Sequence, residues 1–554
     1  MFTTETLRNT NVTRHSELVR IRQGRPAAAV TLLCALFVVV FDNFHFWASL
    51  YRSTPPESME AVAMYGIVFI ALVMIYNALF SLLALRWLLK PMLSLILMVA
   101  AACAYFMDAF GVIINDSMLR NVLETDAGEA AELLSPRLLI YLGLLGVLPC
   151  VLLWRTPIRH GALSREVPLR LITTILSLMI GVGVLFTHYK YISFVARQHH
   201  ELRYLLNPYY PLWSARKLLP SREAAAPDPR GRTATQAAAT VTAKPTVLVL
   251  VVGETARAAN FQLDGYARAT NPRLSDEPLL INYTQVTSCG TATAVSVPCM
   301  FSRLPRSEFS HDKAKANVDF VQVLQTAGVS VYWRENDGGC KGVCVGTDFQ
   351  DLSHGVAPDL CDDDGCQDGV MIRSLSAILD HLRGDTLIVL HPQGSHGPAY
   401  YRRYPEAFRR FTPDCRTQQV QTCSQPEIVN AYDNTIVYTD DILAEVIAQL
   451  RRRADGLDTA MLYLSDHGES LGENGLYLHG MPYSLAPAEQ THVPFMLWLS
   501  PQLEAHAGLR RQCLLDNADI SYSHDNLFHS VLGLFRIRTD AYEPAMDILE
   551  ECRG

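Results

Sequence analysis

Residues 247–257 read VLVLVVGETAR: six apolar residues in a row, a glycine, then Glu254, Thr255 and Arg257. A short, unbroken apolar run rich in β-branched residues reads as a strand buried on both faces. Similar runs follow at Thr386–Leu390, Met461–Leu464 and Phe495–Leu499. Helix-like stretches such as Val318–Thr326, Gly369–Leu382 and Glu427–Arg452 lie between them. This alternation predicts a mostly parallel sheet covered by helices. Such sheets bind ligands beyond the carboxyl ends of their strands. The residues after the runs are GETAR (253–257), HPQGSHGP (391–398) and SDHGES (465–470), the last followed by His479-Gly480. Carboxylates and imidazoles at several strand ends (Glu254, His391, His396, Asp466, His467, His479) are expected to meet in one crevice. That donor mix suits a zinc ion.

A metal needs a group to activate. The segment TSCGTATAV (287–295) leads into an apolar, helix-like run. A hydroxyl at a helix N-terminus faces unpaired backbone N–H groups, a good setting for phosphate oxygens. Zinc can bring the pKa of bound water down to about 7, and an alkoxide benefits in the same way. Threonine is also a common helix cap. Local chemistry leaves Thr287, Ser288, Thr291 and Thr293 as candidates.

The first part of the chain is of a different kind. Five apolar segments, Pro26–Leu50, Ala61–Leu85, Pro91–Ile114, Leu138–Trp154 and Leu169–Thr187, are each near the length of about 20 residues that crosses a bilayer. Arginines 8, 14, 20, 22 and 25 precede the first; Arg86 and Lys90 follow the second; Arg155, Arg159, Arg165 and Arg170 lie between the fourth and fifth. The other connections are poor in Lys and Arg or rich in acids, so the N-terminus is expected in the cytoplasm and everything after about Thr187 outside it. The stretch Ala196–Leu219 mixes tyrosines and Trp213 with basic residues, as a helix lying on a membrane surface would. Residues 220–245 read as a linker. The expected domains are thus 1–195 in the membrane, 196–245 bridging, and 246–554 catalytic.

Composition agrees. Of 554 residues, 49% are hydrophobic and 18% charged, below the usual charged fraction of about 25%. Residues 1–220 carry a net charge of +6 and the remainder −14, for an overall −8, which argues against a nucleic-acid binder. Of the 13 cysteines, Cys34, Cys103 and Cys150 sit in apolar segments, and the other ten fall after residue 288. An even number in an oxidising compartment reads as disulfides. Local pairing suggests 289–299, 340–344, 361–366 and 415–423, leaving 513–552. Zinc fingers are the rival reading, but the paired C-x2-C spacing is absent.

Four runs in this order, GETAR (253–257), SCGTATAVSVPCMFS (288–302), GSHGPAY (394–400) and SDHGESLGENGLYLHG (465–480), resemble the lipid A phosphoethanolamine transferases. These include the mobile colistin-resistance enzymes and belong to the alkaline phosphatase and sulfatase superfamily. The resemblance covers nearly the whole chain. It implies an α-helical five-span transmembrane domain joined to a periplasmic α/β domain, in the inner membrane of a Gram-negative bacterium. It further implies Thr293 as nucleophile, and Glu254, Thr293, Asp466 and His467 as zinc ligands. His396 and His479 match histidines around the transferred phosphate or a second zinc. Asn121, Thr125 and Glu129 match donor-binding positions and are expected at i, i+4 and i+8 on one helix face. Lys341 matches a lysine near the phosphoryl group, although Gly338 stands where relatives often have serine. His391 is assigned to the substrate side.

The implied reaction takes phosphoethanolamine from phosphatidylethanolamine to a lipid A phosphate through a phosphothreonine, in a monomer surrounded by membrane lipids, and confers polymyxin resistance. Alternatives are transfer to a lipopolysaccharide core sugar, or a membrane-anchored metal-dependent phosphodiesterase or sulfatase. Sulfatases need C-x-P-x-R, and residues 299–303 read CMFSR. A lipoteichoic-type polymerase shares the layout, but the ten cysteines favour a disulfide-forming periplasm. A non-enzymatic sensor would lack some of the metal ligands, and all are present.

Overall fold

The computed structural model describes residues 24–125, 127–218, 237–239, 244–354, 357–362, 365–382 and 384–554. The arginines before residue 24, most of the linker and the Glu129 side chain lie outside the described residues. Two compact units divide the chain. One comprises residues up to Ile114 with Leu134–Arg216; the other comprises Asn115–Leu133 with Lys217–Gly554. The segment 115–133, which a linear reading leaves inside the membrane domain, thus groups with the catalytic unit.

Among the described residues of the first unit, four helices are long and apolar enough to cross a membrane: Met59–Leu82, Leu89–Phe110, Pro136–Arg155 and Leu163–Thr187. Helices Ala27–Phe41 and Phe44–Ser53 make a fifth span if counted as one, but they are bent by 53°. The span expected at Pro26–Leu50 thus corresponds to a bent pair of helices. The break falls at Asp42-Asn43, where the Asn43 side-chain amide donates to the Val38 carbonyl at 2.9 Å and to that of Asn207 at 2.7 Å. A side chain that inserts into the helical ladder in this way is a recognised cause of a kink. Polar contacts tie spans together: Thr31 Oγ1 donates to Asn77 Oδ1 (2.8 Å), and Asn77 Nδ2 to Ser177 Oγ (2.9 Å). Leu139, Ile172 and Met179 stand exposed, as lipid-facing side chains do.

The stretch Ala196–Leu219 is not one helix. It is divided into the end of Tyr189–Gln198, a 3-10 turn at His200–Leu205, and a helix at Tyr209–Lys217. Pro208 and Pro211 lack the N–H groups a continuous helix would need.

The second unit is built on a seven-stranded sheet. Its strands in chain order are β1 (Thr246–Gly253), β2 (Leu280–Tyr283), β3 (Ser330–Glu335), β4 (Asp348–Asp351), β5 (Thr386–His391), β6 (Asp458–Ser465) and β7 (Phe495–Leu499). Their spatial order is β2-β7-β6-β1-β5-β3-β4. Every neighbouring pair is parallel except the two that involve β7. All residues of β1, β5, β6 and β7 are buried, as their apolar runs predict. Edge strand β4 is exposed at all four positions and carries Asp348 and Asp351, charges that discourage pairing with another chain. The core gathers Leu248, Leu250, Leu387, Leu462 and Leu497 with Phe301, Phe320 and Trp333.

All ten cysteines of this unit are paired as expected: 289–299, 340–344, 361–366, 415–423 and 513–552. The last closes the longest loop, 39 residues. A loop of that length is worth about 4 kcal/mol in the chain-entropy model. Replacing Cys513 and Cys552 together by alanine should lower stability by about 2–4 kcal/mol, read as an earlier denaturation midpoint. An unchanged midpoint would show that the crosslink contributes nothing.

Candidate active site

Strand register builds the site. In β6 and β1, Ser465 pairs with Gly253, so the next residues, Asp466 and Glu254, leave the sheet side by side. In β5 and β3, His391 pairs with Glu335. The turn after β1 is tight. Thr255 has φ +55° and is pinned from a neighbouring helix by Tyr432, whose hydroxyl donates to the Thr255 carbonyl (2.7 Å) and accepts from the Arg257 N–H (3.0 Å). Gly394 lies so close that a Cβ on it would sit 2.8 Å from the Glu254 carbonyl oxygen; no other residue fits there.

Thr293 opens the helix Thr293–Met300. Its Oγ1 lies 3.1 and 3.3 Å from the Glu254 carboxylate oxygens and 3.2 Å from His467 Nε2. The other three candidate hydroxyls point elsewhere. Thr287 is exposed, Ser288 Oγ donates to the Gly290 carbonyl (2.6 Å), and Thr291 Oγ1 donates to the Met481 carbonyl (2.6 Å). The start of this helix is locked by Ser296 Oγ, which accepts from the Gly290 N–H and donates to the Asp466 carbonyl.

Glu254, Asp466 and His467 each offer one ligand atom, and these lie within 4.8 Å of one another. All three residues are fully buried. Asp466 Oδ1 accepts the N–H groups of Thr255 (3.1 Å) and His467 (2.7 Å), while Oδ2 is buried without a partner. His467 Nδ1 is 2.9 Å from the Gly468 carbonyl, which makes Nδ1 the protonated nitrogen and leaves the Nε2 lone pair facing the cluster. An orphaned carboxylate oxygen inside a ring of O, O and N donors fits a divalent cation of the zinc type. Burial works to raise the Glu254 carboxyl, but the His391 ring and the imidazoles of His467 and His396 beside it hold it well below the usual range. Burial and the Glu254 charge push Asp466 well above it. Burial, helped by His479, lowers His467 to about 3, so its ring is neutral.

A second tier supports these groups. Glu335 holds His391 Nδ1 at 2.9 and 3.1 Å and is itself fixed by the Trp333 indole N–H (2.8 Å) and the Asp337 N–H (2.7 Å). His391 is wholly buried, with Nε2 3.7 Å from Glu254 Oε2. His396 Nδ1 meets Asp337 Oδ1 at 3.1 Å. Glu254, Asp337 and His396 form a second trio with metal-ligand spacing. His479 Nδ1 meets Glu469 Oε2 at 2.9 Å, and Tyr400 Oη donates to Glu469 Oε1 at 2.5 Å. The rings of His467 and His479 are 4.4 Å apart, and those of His396 and His479 5.7 Å.

Sequence reasoning missed Glu335, Asp337, Glu469 and Tyr400. The clue available was position: Glu335 closes strand β3 and Asn336-Asp337 directly follow it, but the polar ends of that strand hid it.

The segment that carries Asn121, Thr125 and Glu129 differs from expectation. Helix Asp116–Glu124 stops at Thr125, and a separate helix spans Ala127–Glu132. Thr125 has extended backbone, and its Oγ1 donates to the Asn121 carbonyl at 2.7 Å. Asn121, Thr125 and Glu129 therefore do not share one helix face. The first helix packs against Thr293–Met300. Met118 Sδ comes within 3.1 Å of the Cβ position of Gly480, whose φ is +88°. Lys341 sits at φ +49° in the loop closed by Cys340–Cys344, its amine donating to the Gly338 carbonyl (3.3 Å).

With this geometry in hand, comparison with known proteins is informative. Residues 246–537 match the family model for sulfatases, and residues 72–222 that for "Phosphoethanolamine transferase EptA/EptB". The chain is 38% identical to phosphoethanolamine transferase EptA of Salmonella typhimurium over 94% of this chain and 96% of that one. It is 36% identical to phosphatidylethanolamine transferase Mcr-1 of Escherichia coli, over 91% and 94%. The integral membrane lipooligosaccharide phosphoethanolamine transferase A of Neisseria meningitidis superposes with a TM-score of 0.91 at 36% identity, over 95% of this chain and 98% of that one. Sheet, strand-end residues and full-length relatives agree: the chain belongs to the EptA/Mcr-1 family of phosphoethanolamine transferases, within the alkaline phosphatase and sulfatase superfamily.

Proposed function

We propose that this enzyme moves phosphoethanolamine from phosphatidylethanolamine to a phosphate of lipid A in two steps, with Thr293 as the covalent carrier. The observation that carries this reading is the placement of Thr293 Oγ1 within 3.3 Å of both Glu254 oxygens and of His467 Nε2. Glu254, Thr293, Asp466 and His467 would hold a zinc ion, which supplies Lewis-acid stabilisation of the threonine alkoxide and of charge on the phosphoryl oxygens.

In the first step Thr293 Oγ1, having given up its proton to solvent, attacks the donor phosphorus, the bond from phosphorus to diacylglycerol breaks, and the diacylglycerol oxygen takes a proton from Nε2 of protonated His479, which is left neutral with Nδ1–H on Glu469 and is reprotonated from solvent. In the second step an oxygen of the acceptor phosphate attacks the same phosphorus and Thr293 Oγ1 leaves. His396, braced by Asp337, steadies the phosphoryl group on the opposite side. Asn121, Thr125, Glu129 and Lys341 contact the donor headgroup. His391, paired with Glu335, holds Glu254 in place.

Donor and acceptor are both membrane lipids, so anchoring raises their effective concentration. The Lys/Arg bias and the five disulfides support an inner-membrane protein of a Gram-negative cell, its catalytic unit in the periplasm. One chain supplies every ligand, which is consistent with a monomer. An added amine lowers the negative charge of lipid A, and each basic residue near an anionic surface gains about 1 kcal/mol, so polymyxin binding weakens.

The decisive measurement is mass spectrometry of lipid A from cells with and without the protein. Expression should add one phosphoethanolamine to lipid A; addition to core sugars alone would reject lipid A as acceptor.

Glu469 provides a subtler test. Glu469→Gln keeps the shape but removes the charge that orients His479. The transfer rate should fall about 10–100-fold, the usual cost of losing such a supporting carboxylate. A normal initial rate with a fluorescent donor lipid would free His479 of its assigned role.

A further inference from the structure

Two residues before Thr293, Thr291 forms part of the wall of a cavity of about 400 Å³ that lies within the catalytic unit. Its lining is both charged and aromatic. Arg306 stacked on Tyr483, Phe309 beside His311, and Arg120 of the helix Asp116–Glu124 line it. Lys217 and Asp116 also reach it but pair with each other at 2.9 Å, and Asp312 adds one further carboxylate.

Two of these side chains have unused bonding capacity. The Arg306 guanidinium stacks on the Tyr483 ring, 3.2 Å from its centroid. Among the described residues, only the Arg306 backbone N–H is hydrogen-bonded, to Asp525 Oδ1 at 2.9 Å. The guanidinium donors, fixed in plane by the stacking, are left for an outside acceptor, and a planar fork of this kind suits phosphate oxygens. His311 Nε2 is buried without a partner. Burial, with the charges of Arg120 and Lys315, lowers its pKa to about 4. The ring is therefore neutral and able to exchange a hydrogen bond with a hydroxyl. Tyr483 and Phe309 offer apolar faces of the sort against which sugar rings pack.

We propose that this cavity is the acceptor subsite, and that it takes a phosphorylated sugar with its phosphate on Arg306, supported by Arg120, and its hydroxyls toward His311. The proposal rests on the transfer reaction above and assigns it a specificity residue. Charge separates acceptor from donor: a phosphoethanolamine group brings an ammonium, which the unpaired guanidinium repels, whereas a sugar phosphate brings only anionic charge. From this cavity the acceptor oxygen approaches phosphorus on the Thr291 side of Thr293. The new P–O bond forms as the bond from phosphorus to Thr293 Oγ1 breaks.

The test uses the full-length chain in detergent micelles. Binding is measured in the Thr293→Ala background, so that no turnover occurs, with lipid A and with free N-acetylglucosamine 1-phosphate as probes. Arg306→Glu should raise Kd for both probes at least tenfold, and Arg306→Lys should keep it within about threefold of the parent. In protein with Thr293 intact, Arg306→Glu should raise the KM for lipid A at least tenfold while the KM for phosphatidylethanolamine shifts less than twofold. An unchanged lipid A Kd in Arg306→Glu would overturn the proposal, as would equal binding of N-acetylglucosamine lacking the phosphate. The two readings fail differently. Arg306-dependent binding of lipid A with no transfer to it by the wild-type enzyme would spare the cavity and reject the reaction. Transfer with a binding constant indifferent to Arg306 would do the reverse.

Discussion

Thr293→Ala should abolish transfer of phosphoethanolamine, by a factor of at least about 10³, or some 4 kcal/mol in the barrier. The reason is local. Thr293 Oγ1 is the one hydroxyl of its segment aimed at both Glu254 and His467, and alanine removes the atom that attacks phosphorus. The fold should survive, because the helix start is held by Ser296 and by the Cys289–Cys299 bond rather than by the Thr293 hydroxyl. Thr293→Ser keeps the oxygen and should retain measurable activity, although a chain without the γ-methyl samples more rotamers. Thr291→Ala should be far milder, since that hydroxyl serves only the Met481 carbonyl. Cells that express the wild-type enzyme should tolerate more polymyxin, and the Thr293→Ala form should give no protection. Normal lipid A modification by inserted, folded Thr293→Ala protein would end the covalent mechanism.

Asp466→Asn should be nearly as severe. The Asp466 carboxylate is buried, with Oδ2 lacking a hydrogen-bond partner among the described residues, an arrangement that is costly unless a cation satisfies it. An asparagine amide cannot neutralise a divalent ion in the same way. Activity should drop about 10²–10³-fold, an effect of roughly 3–4 kcal/mol, and elemental analysis should find less than one zinc per chain. Chelation of the wild-type enzyme should reproduce the loss and lower its melting temperature. A ligand present at 1,000 times its Kd contributes about 4 kcal/mol of stability. Added zinc should restore the wild-type protein but not Asp466→Asn. Full activity of either protein in the presence of a strong chelator would exclude a catalytic metal.

Much of this enzyme is legible before any coordinates. Length and apolar content alone mark the membrane segments, because nothing but a bilayer tolerates so many near-continuous runs of about 20 apolar residues. The buried strands β1, β5, β6 and β7 show as unbroken apolar runs, because a central strand must be apolar on both faces. Glu254, Asp466 and His467 stand out because strand ends are where parallel sheets carry their chemistry. Four of the disulfide pairs follow from cysteines at most ten residues apart, and Cys513–Cys552 is the pair that remains.

What stayed hidden depends on partners distant in the chain. The bend at Asp42-Asn43 is tied to Asn207, 164 residues away. Strand β4 has no apolar pattern, since as an edge it is exposed throughout. Glu335 has no local mark of importance; the pairing of β3 with β5 sets it against His391. Glu469 and Tyr400 acquire meaning only when they meet at His479. Helix Asp116–Glu124 ends at Thr125, whose backbone turns extended while its hydroxyl donates to the Asn121 carbonyl, a choice that helix periodicity cannot reveal. Among the four hydroxyls of residues 287–293, composition and capping chemistry do not discriminate. Folding does, because the helix start and the register of β1 with β6 aim a single one, Thr293, at two side chains that lie 39 and 174 residues from it.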